Sequence, residues 1–114
     1  MRTAREIREA FAPREGLGSS RRFFLVGIGG AGMSALALML TRRGYEVSGT
    51  DSTPSPSIDD LERHGVSVHI GHTGEAIEAG DAVVLSDAID LGDSPEVFRA
   101  RQLGCALFRR SQLL

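Results

Sequence analysis

The sequence contains no lysine; all 13 of its basic residues are arginine. That excludes a phosphate loop of the G-x-x-x-x-G-K-[ST] kind, whose lysine reaches the terminal phosphates of ATP, and it excludes a lysine Schiff base. Tryptophan is absent, and five Phe and one Tyr offer few platforms for stacking nucleic-acid bases. The single cysteine, Cys105, has no intrachain partner for a disulfide, and its place in the apolar run Cys105 to Phe108 reads as a buried structural thiol rather than a nucleophile. One cysteine and three scattered histidines show no metal-ligand spacing, so no metal site is expected. No segment approaches the roughly 18 apolar residues of a membrane span, and the N-terminus lacks an apolar signal core. These absences point to a reducing, intracellular setting, the cytoplasm, with no membrane partner.

The net charge is -2, but arginine predominates over residues 1–22 and acids over the remainder. An acidic folded part excludes a nucleic-acid face, which needs a basic patch. At 114 residues the chain makes one domain, large enough for a sheet covered on both faces and too small for two nucleotide-binding halves.

What is present is organised around Phe23 to Leu40, FFLVGIGGAGMSALALML. A short apolar run leads into Gly27, Gly29, Gly30 and Gly32 and then into a run of good helix formers, which predicts strand, tight turn and helix. Gly27, Gly29 and Gly32 satisfy G-x-G-x-x-G: the first for the sharp turn, the second for close approach of a ligand to bare backbone, the third for helix-strand packing. The free amides of the first helical turn, Ala31, Gly32, Met33 and Ser34, would face a phosphate or pyrophosphate. Ser34 taken alone reads as a cap of the helix start, or as a hydroxyl donor to the same anion.

Residues 1–22 read as a short frayed helix, with Ala4, Ile7 and Phe11 on one stripe, and a flexible leader; residues 23–114 read as the folded domain. The helix after the glycines runs to about Arg43, with Gly44 as its stop. Tyr45 to Gly49 forms strand two, and Asp51 stands at its carboxyl end, where a ribose-binding acid or a solvated turn aspartate is expected. Ser57-Ile58-Asp59-Asp60 reads as a capping-box-like start of the next helix, ended by Gly65. Val66, Val68 and Ile70 mark strand three, with His72 at its mouth, while His64 and His69 read as surface or helix-facing residues. A short helix is expected around Glu75 to Ala79, strand four over Ala82 to Leu85, and Ser86, Asp87 and Ala88 at that strand's carboxyl end. Ser94-Pro95-Glu96 starts a helix running to Gln102 or Leu103, and Cys105 to Phe108 is strand five. The alternation gives an α/β fold, a Rossmann-like open parallel five-stranded sheet with helices on both faces, in the order 3-2-1-4-5. The glycine turn, Asp51, His72 and Ser86 to Ala88 then meet at one carboxyl edge, where such sheets bind ligands.

With these residues in hand, the chain resembles the amino-terminal domain of the Mur ligases, and within them those that join L-alanine to UDP-N-acetylmuramic acid. The matching stretches are GIGGAGMS at Gly27 to Ser34, GYEVSGTD at Gly44 to Asp51, IGH at Ile70 to His72, VVLSDAI at Val83 to Ile89, DSPEV at Asp93 to Val97, and the terminal FRRSQLL. The resemblance implies a Rossmann-like domain that holds the UDP part of UDP-N-acetylmuramic acid. Gly29 to Ser34 would lie on the pyrophosphate, and Asp51, His72 and Ser86 to Ala88 around the uridine. It implies no catalytic residue in this chain; ATP and Mg2+ belong to a central domain whose lysine loop follows shortly after this point in the family, and a third domain receives the amino acid. Asp87 stands where the family usually has serine, which predicts repulsion of an anionic ligand, and Ser94 replaces a commoner asparagine. The residues alone leave open a nicotinamide-binding, NAD(P)-dependent oxidoreductase domain and a non-catalytic nucleotide-binding module.

Overall fold

A computed structural model describes residues 22–113. Of the frayed helix and leader expected over residues 1–22, residues 1–21 lie outside the described residues. Strand β1, Arg22–Val26, is central, and it opens one residue before the expected Phe23. Its side chains alternate between two cores: Phe23 and Leu25 enter one, Phe24 and Val26 the other, and all four are fully buried. Burying each is worth about 1.5 to 3 kcal/mol, which is why this run contains no polar position.

Helix α1, Ala31–Arg42, sets Met33, Ala37 and Leu40 on one stripe against the first core and ends at Gly44, where φ is +89°. Strand β2 is Glu46–Asp51 and pairs with β1 in parallel, Leu25 opposite Gly49. A Cβ built on Gly49 would stand 2.2 Å from the Leu25 carbonyl oxygen, so the two strands approach more closely there than any side chain permits.

Helix α2, Pro56–Arg63, begins two residues before the expected start. Ser55, not Ser57, is its N-cap and accepts from the Ile58 N–H (3.3 Å), with Pro56 in the first helical position, where its fixed φ suits the turn and its missing N–H costs nothing. Strand β3, Ser67–Ile70, is an edge strand, and Ile70 is exposed.

No helix forms around Glu75 to Ala79. The segment is two turns, and its polar groups are met by side chains in place of a helical ladder. The Arg22 guanidinium donates to the Ala76 carbonyl (2.6 Å) and pairs with Glu78 (2.8 Å) and Asp81 (3.0 Å), while Asp81 Oδ2 accepts from the Glu78 N–H (2.9 Å). Gly74 and Gly80 sit at positive φ on either side, and Ile77 pins the segment to the second core. Burial pushes the Asp81 carboxyl up from its ordinary range, against the pull of the Glu78 N–H and of Arg22.

Strand β4, Ala82–Leu85, is fully buried; helix α3, Pro95–Gln102, starts at the N-cap Ser94; strand β5 is Ala106–Arg109, one residue later than expected. A 3-10 turn, Arg110–Leu113, follows. Cys105 precedes β5 and is half-buried rather than buried; burial, with Asp81 nearby, pushes its thiol up, away from the reactive thiolate. The sheet order is β3-β2-β1-β4-β5 with every pair parallel. Helices α1 and α2 cover one face, and α3 with the Arg22-held loop covers the other, so the carboxyl ends of β1 and β4 open a crevice at the point where strand order reverses.

Candidate functional site

The site is built on the turn after β1. Gly27, at φ +81°, and Ile28 both donate to the Thr50 carbonyl (2.8 and 3.0 Å), which folds the turn back over the end of β2. Gly30 is the helix N-cap, exposed, in extended conformation and without a side-chain cap. The amides of Ala31, Gly32 and Met33 lie in the first turn, ahead of the helix's own hydrogen bonds, and so remain available at its positive end. Met33 sends its side chain into the core, leaving only its backbone for a ligand.

Three expectations for this turn change. Ser34 is neither the cap nor a bearer of a free amide: its N–H donates to the Gly30 carbonyl (2.7 Å) and its hydroxyl to the Ala31 carbonyl (3.1 Å), since it falls one turn inside the helix. Gly29 is closely covered: its N–H donates to Asp51 Oδ2 (2.8 Å), and a Cβ there would stand 2.8 Å from that oxygen and 3.2 Å from Ile58. Gly32 packs on a side chain and not on the strand, because a Cβ there would lie 2.7 Å from Arg110 Nε. Arg110 is not singled out by the sequence; its signal is an Arg-Arg pair at the end of the last strand, at the same carboxyl edge as the glycines.

Asp51 is neither simply solvated nor turned wholly to a ligand. Its second oxygen accepts from the Ser52 N–H (2.8 Å), so the carboxylate staples the glycine turn to the end of β2. Ser86, after β4, lies against Gly27, where a Cβ would stand 2.9 Å from Ser86 Cβ. Its hydroxyl accepts from the Ala88 N–H (3.3 Å), and its carbonyl accepts from Arg109 (3.0 Å). Asp87 is exposed; it accepts from the Ser111 N–H (3.4 Å) and stands 3.8 Å from Arg110.

His72 is drawn inward by a group read in the sequence only as a helix-start acid. Glu96, in the first turn of α3, is 1% exposed, and one of its oxygens takes both the Thr50 hydroxyl (2.8 Å) and His72 Nδ1. Its other oxygen accepts from the Ser94 hydroxyl (3.2 Å). His72 and Ala88 line one groove of about 200 Å³, together with Ile89, Ser94 and Pro95. Thr50 therefore serves both parts of the site, by carbonyl to the glycine turn and by hydroxyl to the Glu96–His72 pair. His64 lies on the surface, its Nδ1 2.8 Å from the Asp60 carbonyl, and His69 is exposed.

The arrangement offers backbone amides and a guanidinium at one end, suited to phosphates, and an apolar groove with one imidazole at the other, suited to a flat heterocycle. Among the described residues no group of three or more His, Cys, Asp or Glu side chains could hold a metal ion, and no helix is long and apolar enough to cross a membrane.

The family model described as "Mur ligase family, catalytic domain" matches residues 23–114. UDP-N-acetylmuramate--L-alanine ligase of Chlorobium phaeovibrioides is 40% identical over 98 residues, covering 86% of this chain and 21% of that protein. Among solved structures, UDP-N-acetylmuramate-alanine ligase of Thermotoga maritima superposes with a TM-score of 0.74 at 30% identity, covering 79% of this chain and 21% of the other. The UDP-N-acetylmuramate:L-alanyl-gamma-D-glutamyl-meso-diaminopimelate ligase of Neisseria meningitides gives 0.69 at 27% identity, covering 79% and 28%. The chain thus spans about a fifth of the length of the curated relatives it matches.

Proposed function

We propose, from the premise that this chain belongs to the Mur ligase family, that it is the UDP-substrate-binding amino-terminal domain of a UDP-N-acetylmuramate–L-alanine ligase. The complete enzyme would join L-alanine to UDP-N-acetylmuramic acid in peptidoglycan synthesis in the cytoplasm. The observation that carries this reading is the meeting of a phosphate end and a base end at one sheet edge. The amides of Ala31 to Met33 and the Arg110 guanidinium would hold the diphosphate, with Gly30, exposed and without a side chain, leaving the approach open. His72, Ala88 and Ile89 would hold the uracil ring. Asp51 and Ser86 would act chiefly by fixing the glycine turn.

Chemistry enters from outside this domain. ATP and Mg2+ would be bound by the other ligase domains, since the chain has no lysine for an ATP phosphate loop. The domain's contribution would be to anchor the nucleotide so that the muramic acid carboxylate, at the far end of the substrate, reaches those domains in a fixed orientation. Without their contacts the affinity is expected between about a millimolar and tens of micromolar, roughly 4 to 6 kcal/mol.

Amide chemical-shift titrations with UDP-N-acetylmuramic acid, UDP and NAD test this. The expected order is UDP-N-acetylmuramic acid first, then UDP, then NAD, with Gly30 to Met33 and Ala88 among the shifted amides. NAD shifting those amides at lower concentration than either uridine ligand would replace the reading with that of a dinucleotide-binding domain.

A further inference from the structure

We infer that Glu96 is a positioning residue for His72: its carboxylate holds the imidazole with Nδ1 protonated and turned inward, leaving Nε2 as an acceptor for the imide N–H of a uracil base. The inference rests on the reading of this edge as a uridine-nucleotide site and deepens it.

Glu96 is the starting point because capping does not explain its burial. An acid in the first turn of a helix gains from the helix dipole while remaining in water, whereas this one is 1% exposed and carries the desolvation of a whole carboxylate. Three groups offset that cost, the hydroxyls of Thr50 (2.8 Å) and Ser94 (3.2 Å) and the ring of His72. With a hydroxyl donor on each oxygen, the Glu96 carboxylate acts as an acceptor on both. The hydrogen between Glu96 and His72 therefore belongs to Nδ1. In the neutral ring one nitrogen donates and the other accepts, so with Nδ1 given to Glu96 the nitrogen left for a ligand is a bare Nε2. His72 lines the groove beside Ala88, Ile89 and Pro95, whose apolar surfaces fit the faces of a flat ring, while Asp90 and Asp93 supply acids to the same lining. Uracil carries one ring N–H in its nucleotides, at N3, and this is the group that a bare Nε2 selects.

Long-range proton–nitrogen NMR of the His72 ring in the whole chain reads the claim directly. The expected signals are a protonated Nδ1 and a bare Nε2, with the Nε2 resonance moving when UDP is added. UDP methylated at N3, which lacks the N–H, should bind at least about tenfold more weakly. In Glu96→Gln the side-chain amide offers both donor and acceptor, so the tautomer preference should be lost and the gap between the two nucleotides should fall below about threefold. An Nε2-protonated or doubly protonated ring in the parent protein, measured at the pH of the titration, overturns the inference even if the variant does not fold. So does a folded Glu96→Gln protein with tautomer and gap unchanged. Failure of UDP to bind while the parent ring shows the expected tautomer would instead overturn the uridine reading, and Glu96's hold on His72 would stand on the spectrum alone.

Discussion

Replacing Asp51 separates two roles that its position in the sequence does not distinguish. The carboxylate takes the Gly29 N–H on one oxygen and the Ser52 N–H on the other, each at 2.8 Å. Hydrogen bonds to a charged group contribute about 1.5 to 3 kcal/mol each when buried, and less where water can replace the acceptor. Asp51 is half-buried and its bond to Ser52 is exposed, so each bond contributes less than the buried range, about 1 kcal/mol, and Asp51→Ala should cost about 2 kcal/mol in all. Asp51→Asn keeps one acceptor oxygen and should cost about half of that. For a domain of this size 2 kcal/mol lowers the melting temperature by roughly 10 °C. The loss should also be local: the Gly29 amide, protected in the parent, should exchange about tenfold faster for every 1.4 kcal/mol. Thermal melts of the three proteins, with hydrogen exchange at Gly29, make the measurement. If Asp51→Ala melts within about 2 °C of the parent with Gly29 exchange unchanged, while UDP affinity falls, the carboxylate serves the ligand and the staple argument is wrong.

Two further outcomes follow from buried contacts. Asp81 is 3% exposed and its carboxyl is raised by burial, so the folded state holds that proton more tightly than the unfolded chain, and Asp81's contribution to stability declines as pH rises above about 4 through the raised value. Arg22 opposes that rise; Arg22→Met should therefore cost about 3 kcal/mol at pH 7 and less as the pH is lowered toward 4, and urea melts showing an equal loss across that range would refute the pairing. Gly49→Ala should cost at least about 3 kcal/mol, because its Cβ meets the Leu25 carbonyl oxygen, whereas Gly44→Ala, with open space around a positive φ, should cost about 1 kcal/mol. Urea midpoints in the opposite order would contradict the close approach of β1 and β2.

The parts of the fold that could be read in advance are those set by local rules. The double-sided apolar run of β1, the glycine turn and the Ser94-Pro95 helix start follow from periodicity and capping within a few residues, and the sheet order follows from their alternation. The same Ser-Pro signal stands at Ser55-Pro56, two residues before the acid-rich start expected at Ser57, and it is there that α2 is capped. The loop between β3 and β4 was misread for a different reason. Its polar groups are satisfied by Arg22, more than 50 residues away in sequence, and a helical ladder is not needed once that guanidinium is in place. Glu96 and Arg110 went unread as site residues for a related reason: each looks locally like a dipole or surface charge, and only the assembled sheet brings Glu96 under His72 and Arg110 over Gly32.

The acids at the carboxyl edge would repel a diphosphate if they were unbalanced, Asp87 foremost because it is exposed. Three of these acids have partners of their own. Asp51 is met by two backbone amides, Glu96 by two hydroxyls and an imidazole, and Asp87 by the Ser111 amide and Arg110. These arrangements differ in strength. The first two are short contacts at half-buried or buried positions, whereas Asp87 is exposed and stands 3.8 Å from Arg110, a separation at which a surface pair contributes about 0 to 1 kcal/mol. A phosphate at the start of α1 would therefore draw on Arg110 at little cost, since the guanidinium already lies against Gly32 beside the first-turn amides. On the proposed reading Asp87 would act less as a source of repulsion than as a weak, exposed neighbour of Arg110.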